Sequence, residues 1–175
     1  MLRDSLLRLT GRLNPKAGGP GVRLPLPAEI RGTLLKNHAG AEADEVEQRR
    51  RSIYVFARRN ARQPIFDLFD RPDALLSCAR RETSTTAPQA LLLLNAGFAQ
   101  ESAAALADLA LAAGEGDPRA SATHALRRCL AREPLPEEVE EAVAFLSADP
   151  AASLREAFAD YCLALINTNE FVHVD

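Results

Sequence analysis

The sequence has no tryptophan, two tyrosines and seven phenylalanines, so aromatic residues make up only 5% of its 175 residues. Apolar residues nonetheless account for 47% of the chain, and most of them are alanine and leucine, which favour helices. Charged residues account for 26%. This balance excludes a disordered chain and supplies a hydrophobic core. The length fits one ordinary domain rather than two.

Cysteine is scarce as well, and Cys78, Cys129 and Cys162 are too few and too scattered for a disulfide framework. Cys129 and Cys162 fall on predicted apolar helix faces, where a free thiol packs as a small hydrophobic side chain. Their separation also allows a single bridge. No Cys-x-x-Cys occurs, and the three histidines never stand at the short spacings of zinc sites. We therefore predict no metal site and no cofactor.

Motifs for phosphate binding, secretion or membrane insertion are missing. Residues 18–21 (GGPG) lack the Gly-Lys-Ser/Thr that cradles a phosphate, and there is no Gly-x-Ser-x-Gly nucleophile elbow. No apolar run approaches the roughly 20 residues that a membrane span needs. Arg3, Asp4 and Arg8 interrupt the leucines of the N-terminus, which does not resemble a signal peptide. From these residues alone the localisation stays unknown.

The charge is divided unevenly along the chain. The net charge is −3 with a pI near 5.7, which argues against a general affinity for nucleic acid or acidic lipid. Residues 1–90 carry a net charge of +6, whereas residues 91–175 carry −9. Such an asymmetry marks a polyanion-binding face in some proteins. Two halves of one domain also attract each other, and we favour this second interpretation.

The N-terminal half is weakly patterned. Four leucines at helical spacing predict an amphipathic helix within residues 2–13, and a chain that opens inside a helix suggests a fragment of something longer. Residues 14–22 form a predicted loop, since two prolines and three glycines interrupt them. Residues 53–57 (IYVFA) fit a short strand or a buried helix, with helix slightly favoured. Pro64 opens a predicted helical turn that stops at Arg71 and Pro72.

From residue 85 onward the helical signals are strong. Thr86 and Gln89 form a capping-box pattern, and Asp117 is an N-cap followed by proline. The spacing predicts helices over 87–94 and 98–113, further helices from Pro118 and Pro136, and a last helix that starts after residue 150 and ends near residue 167. We predict an all-α fold over 1–175, either a single domain or the C-terminal part of a larger one. Residues 1–84 are irregular, loop-rich and Arg-rich, and residues 85–170 form a bundle of four to five short helices.

A strip from Arg49 to Arg62 holds six arginines around Tyr54 and Phe56. Arginines and aromatic rings together grip polyanions or single strands. The favoured alternative is ion pairing with nearby acidic residues, because arginine suits partly buried, bidentate pairs. Those acidic residues are Asp67, Asp70, Asp73 and Glu82.

Residues 77–89 have the highest density of polar side chains in the sequence, and they lead directly into an apolar helix. Side chains of this kind line anion sites at helix N-termini, or they cap the helix and satisfy buried backbone groups, which we favour. Together with the arginine strip they define a candidate polar cluster for which no catalytic role is assigned. Its members are Arg50, Arg51, Tyr54, Asp70, Cys78, Arg81, Glu82, Thr86 and Gln89.

Several long sequence words occur in the same order in a known family. They include RRSIYVFARR (50–59), FDLFDRPDA (66–74), SCARRETSTTAPQALLLLN (77–95) and INTNEFVHVD (166–175), together with RLNPKAGGPGV (12–22) and LAREPLPEEVEEAVAFL (130–146). Through these words nearly the whole chain resembles the C-terminal portion of a planctomycete-specific domain of unknown function. That domain follows cytochrome-c-like domains in large exported proteins. The resemblance implies a helical fold and a periplasmic or cell-envelope setting, and it implies no characterised activity.

Three functions follow as hypotheses. The first is an accessory or docking domain, non-catalytic on its own, whose partners are upstream domains of a longer parent protein. The second is a composite site for a polar ligand or a carbohydrate, formed by the candidate polar cluster. The third is polyanion binding through the strip from Arg49 to Arg62.

Overall fold

The computed structural model describes residues 2–26, 30, 41–57, 62–72, 77–80, 84, 86–149 and 151–173. About 60% of the described residues are helical, and they form nine α-helices and no β-strand. The predicted all-α fold with a C-terminal helical cluster is confirmed.

The helices are short, and six of the nine lie after residue 86. They are α1 Leu2–Leu9, α2 Glu45–Gln48, α3 Pro64–Leu68, α4 Ala87–Asn95, α5 Gly97–Ala113, α6 Pro118–Leu130, α7 Pro136–Leu146, α8 Leu154–Ile166 and α9 Asn169–Val172. The bounds of α3 to α8 match the predicted ones within a few residues. The sequence did not predict α9, a single turn whose N-cap Thr168 accepts a hydrogen bond from the backbone N–H of Phe171.

Side-chain caps set the starts of the C-terminal helices. The Asp117 carboxylate accepts hydrogen bonds from the backbone N–H groups of Arg119 and Ala120, both at 3.1 Å. Ser153 and Glu156 cap α8 reciprocally, with the Ser153 N–H donating to the Glu156 carboxylate at 3.0 Å and the Glu156 N–H to the Ser153 hydroxyl at 3.2 Å. Each bond satisfies a backbone donor that a helix start leaves without a partner. The cap predicted at Asp117 is confirmed.

The core lies among α5, α6, α7 and α8, with α5 at its centre packed chiefly against α8 and α6. Alanines on facing surfaces of α5 and α6, such as Ala107 and Ala125, are fully buried and let the helix axes approach closely. Phe158 of α8 is fully buried in the same core cluster. Helical spacing predicts an apolar stripe on α6 formed by Ala122, Ala125, Leu126, Cys129 and Leu130, and it is confirmed, with Leu130 half-buried and the others buried. The same spacing predicts that Leu154 faces inward, which is wrong, because it is the first residue of α8 and 39% of its surface is exposed.

The turn between α5 and α6 is unusually tight. Ser121 of α6 is fully buried against Gly114, which ends α5, and its hydroxyl has no hydrogen-bond partner among the described residues. A Cβ at position 114 would overlap that hydroxyl and lie 2.6 Å from the Ser121 backbone nitrogen. Only a glycine fits this approach without displacing α6.

The N-terminal segment packs on the bundle through α1, which contacts α5. Two isolated parallel bridges, Asn14 to Arg50 and Val22 to Val55, join the N-terminal loop to residues 50–55. Residues 52–54 form a 3₁₀ turn, and 77% of the surface of Ile53 is exposed. The strand or buried helix predicted for residues 53–57 is therefore wrong. The β-bridge at Val55 joins a single pair of residues. Residues 53–57 therefore form no β-ladder and are only partly buried.

No single helix in the described ranges is both long and apolar enough to cross a membrane. The pair α4 and α5 passes a test of length and composition when taken together, but the two helices meet at a bend of 60°.

Candidate functional site

Arg50 is the most buried charged side chain of the described residues, with 1% of its surface exposed. Its guanidinium donates to the backbone carbonyls of Lys16, at 3.2 Å, and Gly18, and to the Glu47 carboxylate at 3.1 Å. It also lies over the Tyr54 ring, 4.3 Å from the centroid. Arg50 therefore connects the glycine-rich loop at residues 16–18 to α2 and to the 3₁₀ turn at residues 52–54.

A second arginine, which the sequence did not single out, completes this arrangement. Arg3 of α1 is 6% exposed and donates to the backbone carbonyls of Gln48 and, at 2.9 Å, Arg50. Beside it, the Asp4 carboxylate accepts from the backbone N–H of Ser52 at 2.7 Å. Arg3 therefore joins residues 48–50 to α1, and Arg50 joins them to the glycine-rich loop, both mainly through main-chain carbonyls.

Glu47 takes part in the same group of contacts. Lys16 Nζ lies 2.6 Å from one oxygen of its carboxylate and Arg50 binds the other. The hydrogen bond from Lys16 first, and that from Arg50, hold the pKa of Glu47 below its ordinary value.

Gln89 organises a separate group around the start of α4. Its side chain is 4% exposed, donates to the carbonyl of Leu68 at 2.7 Å and to the hydroxyl of Ser84 at 3.1 Å, and accepts from the N–H of Thr86 at 3.0 Å. The last bond is the glutamine half of the predicted capping box. The backbone N–H of Ser84 donates to the Asp70 carboxylate at 2.6 Å. This group therefore joins the end of α3 to the start of α4.

The candidate polar cluster is thus divided between two hydrogen-bonded groups, one around Arg50 and Tyr54 and one around Asp70, Thr86 and Gln89. Arg51 and Cys78 are exposed, and the Cys78 thiol donates to the carbonyl of Arg80 at 3.2 Å. Arg81 and Glu82 lie outside the described residues. Whether any of these side chains binds a ligand stays a prediction.

The strip from Arg49 to Arg62 forms ion pairs at both ends. Arg49 pairs with Glu45 at 3.2 Å and Arg62 with Asp67 at 3.7 Å. The predicted pairing with Asp67 is confirmed, whereas Glu45 and Glu47 on α2 were not anticipated as partners. Arg58, Arg59, Asp73 and Glu82 lie outside the described residues.

The thiols of Cys129 and Cys162 are buried in the core and free, as their helix positions predicted, while Cys78 is exposed. Burial raises the pKa of Cys129 to about 12 and also raises the pKa of Cys162. Burial therefore favours the protonated form of both thiols at neutral pH, and the protonated thiol is the less nucleophilic form. The described ranges contain no group of three or more His, Cys, Asp or Glu side chains placed to hold a metal ion.

Arg132 links the α6–α7 connection to α9. Its guanidinium donates to both oxygens of Glu138, at 2.9 and 2.6 Å, and to both oxygens of Glu170, at 2.7 and 3.0 Å. The hydrogen bonds from Arg132 first, and one from the Leu135 N–H, lower the pKa of Glu138 to about 2. The sequence gives no signal for this pairing, because Glu170 is distant along the chain.

Replacing Glu138 with glutamine is expected to destabilise the chain at pH 7 and to have little effect at pH 2.5. The lowered pKa means that the ionised carboxylate contributes stability that is fully present above its ordinary value of 4.5 and is lost as the pH falls towards about 2. Melting temperatures of the parent and of Glu138→Gln at both pH values test this. Glu137→Gln, one residue earlier in the exposed part of the same turn, is the control. An equal loss at the two pH values would contradict the assignment.

Two cavities lie among the described residues, and Arg3, which belongs to the group around Arg50, lines the first of them. One, of about 650 Å³, lies between the N-terminal segment and the junction of α4 and α5. The other, of about 1120 Å³, lies between the end of α1, the end of α6 and α9, and we call it the α1–α6–α9 cleft. None of the seven described members of the candidate polar cluster lines either cavity.

Fold and contacts together define an all-α domain whose conspicuous polar residues bind its own backbone. The family model PSD1, described as a protein of unknown function (DUF1553), matches residues 1–146. The chain belongs to this family. Searches among curated proteins and among solved structures found no significant match.

Proposed function

We propose that this chain is an accessory domain, non-catalytic on its own, that docks against upstream domains of a longer exported protein of planctomycete type with a cytochrome-c-like region. The main support is that Arg50 and Gln89, the buried members among the described residues of the candidate polar cluster, form most of their hydrogen bonds with the chain's own backbone. Side chains used in this way hold a fold together. In the proposed domain, residues 1–84 and 85–170 form one unit, supported by the packing of α1 on α5.

The outer face of α4 is the proposed docking surface. Leu91 is 58% exposed and Leu94 43% exposed, three positions apart on one face of the helix, with exposed Ala87 and Ala90 beside them. Adjacent exposed leucines on a helix are a mark of interaction sites. The bond from Gln89 to the end of α3 fixes the orientation of this face.

The exported and cytochrome-associated setting is supported by the sequence words that the chain shares with the planctomycete domain. The family to which the chain belongs is likewise one of unknown function. Polyanion binding through the strip from Arg49 to Arg62 has weaker support, because Arg49, Arg50 and Arg62 already pair with carboxylates of the chain.

The test uses the protein region that is encoded in the same reading frame upstream of the Met1 codon. The upstream region is expressed separately and titrated against the full chain and against the double variant Leu91→Ser, Leu94→Ser by calorimetry. We expect binding of the parent chain and at least about tenfold weaker binding of the variant, since a buried leucine contributes about 1.5–3 kcal/mol and 1.4 kcal/mol is tenfold.

Leu135→Ser is the matched control, because Leu135 is 57% exposed but lies outside α4. It is expected to bind like the parent. The absence of an open frame upstream, an upstream region that does not bind, or an equal loss with Leu135→Ser would each overturn the proposal.

A further inference from the structure

The α1–α6–α9 cleft has the dimensions of a small-molecule site and belongs to neither hydrogen-bonded group. Its volume of about 1120 Å³ is slightly above the range of about 300–1,000 Å³ that ligand pockets usually occupy. The last turn of α1 and the turn at Gly11 form one wall, and the end of α6 and the short helix α9 form the others.

The charges that line this cleft are positive, although the chain as a whole is negative. Arg8 and Arg128 line it, the imidazole of His173 is a further polar lining group, and Glu170 is the one acidic residue among the described lining residues. Both oxygens of Glu170 are bound by Arg132, so this carboxylate does not neutralise the other two arginines.

Arg8 and Arg128 both have N–H groups that no described residue binds. In the described part of the chain, the exposed Arg8 side chain has no hydrogen-bond or ion-pair partner. Arg128 uses its Nε–H on the carbonyl of Leu9, which places the guanidinium at the wall of the cleft, and its terminal N–H groups have no partner among the same residues. A guanidinium presents paired N–H groups that match the geometry of a carboxylate or a phosphate.

Apolar side chains accompany these cations. Leu9 is buried, and Leu13, Leu130 and Phe171 are half-buried with part of their surface facing the cleft. A site that joins a few polar groups to an apolar lining selects a ligand with both characters.

We propose that the α1–α6–α9 cleft binds a small organic anion with an apolar body, whose carboxylate or phosphate head is held by Arg8 and Arg128. The His173 imidazole adds a third donor beside the head group. The competing role for Arg8 is to stabilise the C-terminal end of α1, where a cation complements the helix dipole. That role by itself gives no ligand binding, so a binding experiment distinguishes the two.

The experiment titrates the full chain with octanoate and with octyl phosphate, which share the apolar body and differ in the head group. Inorganic phosphate lacks the body and 1-octanol lacks the charge. Binding is followed by calorimetry and by NMR shifts of the Leu13 and Phe171 signals. We expect saturable binding of at least one octyl anion, and binding of phosphate and 1-octanol that is at least about tenfold weaker.

Arg8→Ala is expected to weaken binding of the octyl anion about tenfold, the loss of one charge-assisted hydrogen bond, and Arg8→Glu is expected to weaken it further. Arg119→Ala removes an exposed arginine at the other end of α6, which does not line the cleft, and is expected to leave binding unchanged. Because Arg8 is exposed, melting temperatures of its variants should stay close to that of the parent. No saturable binding of either octyl anion, equal binding of 1-octanol, or unchanged binding by Arg8→Ala would overturn the proposal.

Discussion

Replacing Arg50 with alanine is expected to lower the free energy of unfolding by about 3–5 kcal/mol, the usual cost of removing one partner from a buried charged network. The change leaves the carbonyls of Lys16 and Gly18 without their donor and leaves Glu47 without one of its two cations. The Tyr54 ring also loses the guanidinium stacked on it. In a domain of this size the loss corresponds to roughly 10 °C in melting temperature.

The neighbouring Arg51 provides the control, since it is exposed. Arg51→Ala should change the free energy of unfolding by no more than about 0.5 kcal/mol. Urea titrations of the two variants measure both effects. If Arg50→Ala melted like the parent while a ligand-binding activity disappeared, Arg50 would be a site residue and the structural role assigned to it would be wrong.

Replacing Gly114 with alanine is expected to destabilise the chain by about 3 kcal/mol, at the upper end of the usual cost of overpacking. The new methyl group would overlap the Ser121 hydroxyl and approach the Ser121 backbone nitrogen to 2.6 Å. Because that nitrogen belongs to the first turns of α6, the helix must shift against α5 to make room. Removing the hydroxyl with Ser121→Ala does not relieve the clash with the backbone.

Gly97 provides the matched control for this substitution. It is the first residue of α5, and a Cβ built there meets no atom within 4 Å. Gly97→Ala is therefore expected to be neutral or to stabilise the chain by up to about 1 kcal/mol, because alanine loses less backbone entropy on folding. Thermal melts of both variants measure these two changes in stability. Equal melting of Gly114→Ala and the parent would show that α5 and α6 are not held as closely as described.

The bounds of the C-terminal helices follow from the sequence because local residues fix them. Asp117 caps its own helix, and Gly114 stops α5 within the same short stretch. The last long helix is the exception, because the sequence predicts its cap at Asp149 and the structure places it at Ser153. Signals of this kind act within a few residues, where a one-dimensional pattern is informative. The apolar stripe of α6 was predictable for the same reason, because the spacing of apolar residues along a single helix is enough to indicate which face is buried.

The interactions of the N-terminal half were not predictable in the same way. Arg3 binds main-chain carbonyls at Gln48 and Arg50, and a backbone acceptor has no residue type that a sequence pattern could match. The Arg132–Glu170 pair likewise joins residues 38 positions apart. The conspicuous arginines of the strip were recognised, but the burial of Arg50 could not be inferred, because it depends on how the glycine-rich loop folds over it.

For the proposed docking role, the contacts of Gln89 are relevant because they leave the outer face of α4 exposed as the partner surface. Gln89 connects the buried side of α4 to α3 while Leu91 and Leu94 remain exposed. A docking domain needs a rigid helix with an apolar face, and the hydrogen-bonded group around Gln89 supplies the rigidity.

The most direct test of the proposed docking role is amide hydrogen exchange of the full chain, measured with and without the upstream region of its parent protein. The proposal predicts that the amides of residues 91–95 exchange at least about tenfold more slowly in the presence of the upstream region, because covering a helix face suppresses its local opening. The amides of α7 should be unchanged. Unchanged exchange in α4, or slowing confined to residues 49–57, would contradict it.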